Sequence, residues 1–168
     1  MLEALASALL LGGINTIADV VSSELKLGAR PIYIFARVVL SCYCVGGIVG
    51  ARARQLMMGT VGGLMIGSLV AAVYYLLSPV LGWTGLAIAW TLFWVGFSLL
   101  DALLHGGSSI AGALLQGAAA ATLAGVFFYA ISNVWPEMSS GDPNLLRALL
   151  SWSAAFLPGF IVLFWRRP

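Results

Sequence analysis

Charge is scarce in this chain: Asp, Glu, Lys and Arg make up only 8% of its 168 residues, against about 25% in soluble domains. That excludes an ordinary soluble globule. Eight basic and six acidic residues leave a net charge of +2, with no clustered basic face of the kind that binds nucleic acid. Histidine occurs once, at His105, and cysteine twice, at Cys42 and Cys44, too few and too scattered for a metal-ligand set. Two residues apart on a helix, the thiols point to different sides and are not easily bridged, so they read as small packing residues. No cofactor is implied. The start, Met1-Leu2-Glu3, carries an acid where a secretory signal carries a basic region, so the first apolar segment is expected to be retained.

Apolar residues, by contrast, make up 61% of the sequence, and the mean hydropathy is +1.03. Such a composition excludes disorder and points to an all-α, polytopic transmembrane helical bundle. About 20 residues cross the hydrocarbon layer, so six spans consume about 120 positions and leave about 48 for connections. The chain therefore reads as a single transmembrane domain over 1–168. Apolar runs place the spans near 4–22, 31–50, 58–78, 84–104, 110–133 and 145–165. The breaks are Ser22 to Pro31, Arg52 to Gln55, Ser78-Pro79, His105 to Ser109, and Pro136 to Pro143.

With six spans, both termini share a side with Arg52, Arg54, Arg166 and Arg167, while Lys26, Arg30 and Arg147 lie opposite. The excess of arginine favours cytoplasmic termini. The halves 1–82 and 83–168 also resemble each other. Each has a first span ending in an acid, Asp19 or Asp101, followed by Ser22-Ser23 or Ser108-Ser109 and a small-residue span. Three spans per half would make these halves a 3+3 inverted repeat. Chance likeness between two apolar stretches is the competing reading.

Intramembrane ionisable groups are costly and so are the first candidates for function. Asp19, near the end of the first span, and Arg37, one and a half turns into the second, should lie at similar depth. They either pair, or Asp19 caps its span while Arg37 snorkels to the headgroups. Asp101 has no matching arginine in the fifth span; Gln116 and His105 are its candidate partners, His105 at i+4 on the same helical face. An Asp–His pair there would relay a proton, hold a headgroup or simply stabilise a helix end.

Small residues recur every four positions at Gly59, Gly63 and Gly67, and at Ala113, Gly117, Ala121 and Gly125, with Gly46 and Gly50 in the second span. Such ladders permit close helix packing, either within the chain or against an oligomeric or partner protein. Pro158 interrupts the sixth span and frees a backbone carbonyl. Most tryptophans fall near span ends, but Trp90 and Trp94 lie deeper, one turn apart, as candidates to line a pocket.

The second half resembles the Insig (insulin-induced gene) family of six-span membrane proteins. The resemblance rests on the aromatic-rich stretch Trp94 to Asp101, the Ser- and Gly-rich turn His105 to Gly112, and Ser151-Trp152 followed by Leu157-Pro158-Gly159. It covers about half of the chain, and the Ser-Trp and Leu-Pro elements are separated here. It implies a non-enzymatic protein enclosing a lipid or sterol pocket, with Asp101 at the position of an acid that binds partner proteins.

Three functional readings follow. The first is a pocket for a lipid or sterol-like amphiphile near Trp90, Trp94, Asp101, His105, Gln116 and Pro158, with the headgroup at the Asp101–His105 end. The second is a small inverted-repeat transporter or channel using Asp19, Arg37 and Asp101. The third is an accessory subunit of a membrane assembly. No catalytic residues are expected.

Overall fold

The computed structural model describes residues 1–26, 31–106, 109–134 and 145–165, without the side chains of 132–134. Arg30, Gly107, Ser108, Pro136, Pro143, Arg166 and Arg167, used in the sequence reading, lie outside the described residues. Six helices follow one another: α1 Leu2–Glu24, α2 Pro31–Arg52, α3 Leu56–Leu81, α4 Trp83–His105, α5 Ile110–Val134 and α6 Leu145–Phe164. All six contain a stretch long and apolar enough to cross a membrane. The protein is an all-α multi-pass membrane protein. Large side chains such as Ile17, Ile32, Met65, Leu76 and Leu115 stand exposed on its outside, where a bilayer solvates them as well as a core would.

One expected boundary moves. Pro79 does not end the third span: α3 continues through it to Leu81 and stops at Gly82, whose φ of +51° turns the chain directly into α4. A proline in the last turn forfeits one intrahelical hydrogen bond, whereas the left-handed backbone that reverses the chain is open mainly to glycine. At the far end of α4 the break falls where expected. Gly106, at φ +67°, caps α4 by donating its N–H to the Ala102 carbonyl.

The helices form a ring in chain order, α6 closing against α1. Glycine contacts show which neighbours meet most closely. In the α2–α3 pair, a Cβ on Gly59 would stand 2.6 Å from the Gly50 nitrogen, and one on Gly46 would stand 2.7 Å from the Gly63 Cα. Gly12 of α1 sits against the Ser153 and Leu149 backbones of α6, and Gly117 of α5 against Val95 of α4. The glycine ladders are thus consumed inside the chain, where backbone-to-backbone contact supplies dispersion energy that lipid cannot withhold. Between these pairs lies an aromatic core of Phe93, Trp94, Phe97, Phe156 and Phe160, stacked edge-to-face or tilted.

Glu3, Arg52 and Phe164 meet at one end of the bundle, Arg52 pairing with Glu3 and lying over the Phe164 ring. Both ends of the described chain therefore share one face with the α2–α3 turn. The α1, α3 and α5 C-termini lie at the other.

Candidate polar fork and apolar cavity

Asp19 and Arg37 pair. Asp19 lies five residues before the end of α1 and Arg37 six residues after the start of α2, depths of about 8 and 9 Å at 1.5 Å per residue. Matching depth lets the guanidinium donate from NH1 to Asp19 Oδ1 at 2.6 Å, a charge-assisted bond in a half-buried setting. The same guanidinium donates from Nε to Asn15 Oδ1 at 2.9 Å and reaches the Asn15 carbonyl at 3.4 Å. From α6, Trp152 Nε1 donates to Asp19 Oδ2 at 2.6 Å while its ring lies 4.9 Å from the Arg37 Cζ, a cation–π distance. Tyr33 donates its hydroxyl to the Ala18 carbonyl. Snorkelling is not needed, because every charged atom of the fork has a partner inside the protein.

Asn15, Tyr33 and Trp152 are the members that the sequence reading missed. Asn15 carried a signal: it lies one turn before Asp19 on the same face of α1. Trp152 gave none, since the closure of α6 onto α1 is a tertiary fact.

Beside the fork opens a cavity of about 660 Å³, within the range of small-molecule and lipid sites. All six helices contribute. Asn15, Tyr33, Arg37 and Ser41 form its polar portion; Val70, Tyr74, Ala89, Trp90, Phe93, Phe128, Trp152 and Phe156 form apolar walls. No histidine, cysteine or carboxylate is among the described lining residues. The cavity lies where α4 and α5 spread apart. A Cβ on Gly117 would be 2.5 Å from Val95 Cα, but two turns further, one on Gly125 would be 3.7 Å from the Trp90 ring.

Of the six residues expected to line a ligand site, only Trp90 does so. Trp94 is fully buried with its indole filling the groove above Gly159, where a Cβ would approach Trp94 Cε2 to 2.6 Å. Pro158 serves that packing as the neighbour of Gly159. Gln116 spends its amide on the Val162 and Leu163 carbonyls, at 2.8 and 3.0 Å, satisfying acceptors that a helix end leaves open. Asp101 is 1% exposed, with Oδ1 3.1 Å from His105 Nδ1, which also lies 3.0 Å from the Asp101 carbonyl. Gln55, from the α2–α3 turn, donates to the Leu104 carbonyl at 3.0 Å. That contact places Asp101 and His105 at the face opposite the fork. Asp101 and His105 thus do not line this cavity, whose polar side is formed by Asn15, Tyr33, Arg37 and Ser41.

Compared with known proteins, the chain matches no family model, no curated protein and no solved structure.

Proposed function

We propose that this protein is a non-enzymatic binder of one membrane amphiphile, a lipid or sterol-like molecule, held in the cavity between the helices. The observation that carries this reading is the cavity's lateral asymmetry: aromatic and aliphatic walls from α3 to α6 face a polar side formed by Asn15 of α1 and Tyr33, Arg37 and Ser41 of α2. A tail gains dispersion contact with Trp90, Phe128 and Phe156, and a headgroup finds hydrogen-bonding groups at Arg37, Asn15 and Tyr33. The resemblance to Insig proteins implies the same class of occupant. Cytoplasmic termini accord with Arg52 and Arg54 at the far face.

The inverted-repeat transporter reading would route a substrate past Asp19, Arg37 and Asp101. Trp94 and Phe97, both fully buried, fill α4 between these groups, which favours the binding reading.

Native mass spectrometry of the detergent-purified protein tests it. The expected result is a stoichiometric lipid adduct that is lost in Gly125→Leu, whose side chain would extend into the cavity, and retained in Gln116→Leu, which lies outside it. A protein free of lipid, or an adduct indifferent to Gly125→Leu, overturns the reading.

A further inference from the structure

The ring of helices is not equally tight all round. Gly12 fastens α1 to α6, and Gly46, Gly50, Gly59, Gly63 and Gly67 fasten α2 to α3, each by backbone-close contact. Between α1 and α2 the contact is sparse, and no glycine of either helix meets the other. The hydrogen bonds and ion pairs that cross this seam sit at its two ends. Arg37 reaches Asn15 and Asp19, and Tyr33 reaches Ala18, near one face; Arg52 reaches Glu3 at the other. Immediately behind the seam, Asn15 of α1 and Tyr33, Ile34, Arg37, Val38 and Ser41 of α2 line the cavity.

We infer that the α1–α2 seam is a lateral door between the bilayer and the cavity, with α1–α6 as one leaf, α2–α3 as the other, and the Arg37 fork as its latch. This rests on the proposed binding of an amphiphile. The physical asymmetry is between two kinds of contact. Separating α2 from α3 would forfeit close-packed backbone along a whole helix face, which lipid replaces poorly. Parting α1 from α2 breaks a few directional bonds near the interface, where water and headgroup oxygens replace the lost partners. Trp152 keeps its bond to Asp19 Oδ2 when Arg37 leaves, because donor and acceptor both belong to the α1–α6 leaf. The latch therefore opens with one carboxylate oxygen still bonded. An amphiphile passing headgroup-first at this depth would meet the released guanidinium before its tail reached the aromatic walls.

The test uses nitroxide pairs at outward-facing positions, with Cys42→Ala and Cys44→Ala removing native thiols and the protein in phosphatidylcholine vesicles. Ile17 on α1 with Leu40 on α2 spans the door; Ile17 with Leu150 on α6, and Leu40 with Leu69 on α3, each lie within one leaf. All four side chains are exposed. Distances by pulsed electron resonance are compared with and without Asp19→Asn, and again with Arg37→Gln. The door pair is expected to shift to longer distance in both variants while the two leaf pairs stay fixed. Three unchanged distances, or three that broaden together, overturn the inference. Lipid occupancy, read separately by native mass spectrometry, distinguishes the two ideas. A door that responds in a lipid-free protein removes the pocket reading alone, and a lipid-loaded protein whose door pair ignores both variants removes the door alone.

Discussion

Three crowded glycines should respond differently to alanine, because what they crowd differs. A Cβ would meet the Gly46 and Gly50 backbones at Gly59 and the Trp94 ring at Gly159, both more closely than the 2.6 Å it would stand from Leu100 Cδ1 at Gly62. At Gly59 the opposing atoms are backbone, so α2 and α3 must separate, and the loss should exceed the about 1–3 kcal/mol usual for overpacking. At Gly159 the obstacle is a fully buried indole locked among Phe93, Trp90 and Phe160. Overpacking of about 1–3 kcal/mol less about 1 kcal/mol gained by replacing a helical glycine leaves a net loss of about 0–2 kcal/mol. At Gly62 the Leu100 methyl is the end of a flexible side chain and rotates away, so the helix gain leaves the change near zero. Unfolding free energies in mixed micelles, titrated with denaturing detergent, read all three. In Gly159→Ala, the further change Trp94→Phe should recover stability relative to the sum of the single changes, a coupling measurable in a double-mutant cycle. Equal losses at the three sites, or additivity at Gly159 and Trp94, would refute the helix pairing deduced from these contacts.

The fork and its surroundings give further expectations. Arg37→Gln should cost about 1–2 kcal/mol in the same titration, below the 3–5 kcal/mol of a fully buried pair, because the Arg37 and Asp19 side chains remain 19% and 34% exposed. Asp19→Asn added to Arg37→Gln should recover part of that loss, since no uncompensated carboxylate remains; a further additive loss would deny the pairing. Gln116→Leu should destabilise by about 1–3 kcal/mol through loss of its bonds to the Val162 and Leu163 carbonyls, of which Val162 keeps the Trp165 N–H, without altering lipid occupancy in the native mass spectrum. Phosphatidylcholine with brominated chains should quench Trp90 fluorescence, in a variant whose other tryptophans are replaced by phenylalanine, and Gly125→Leu should relieve that quenching.

Length and hydropathy were enough to read six helices, because crossing a bilayer fixes a span's length whatever its neighbours. Depth was legible too: Asp19 and Arg37 could be matched by counting rise from a shared membrane face, and they meet. Lateral position was not. Trp90 and Trp94 share one stripe of α4, and nothing local says which faces a cavity. Gly159 receives Trp94 closely, whereas Gly125 stands off from Trp90, a difference created by the divergence of α4 and α5. Nor does depth say that Asp101 and His105 lie at the face away from the cavity, which the Gln55 bond to the Leu104 carbonyl shows. Pairing across the ring, as between Asp19 and Trp152, is likewise set by closure of the fold.

That closure has a meaning for biogenesis. Synthesis makes α1 first and α6 last, yet Asp19 draws on Trp152 and Gly12 is matched to the backbone of α6. The nascent first span must therefore wait in the membrane with a carboxylate only partly satisfied and a notch filled by lipid, until the ribosome has delivered the final one. Arg37 arrives in the second span and can shelter Asp19 in the interval, so the pair that latches the finished protein also serves as the escort of its unfinished beginning. A chain shortened before α6 would keep that notch and half-used acid turned towards the bilayer.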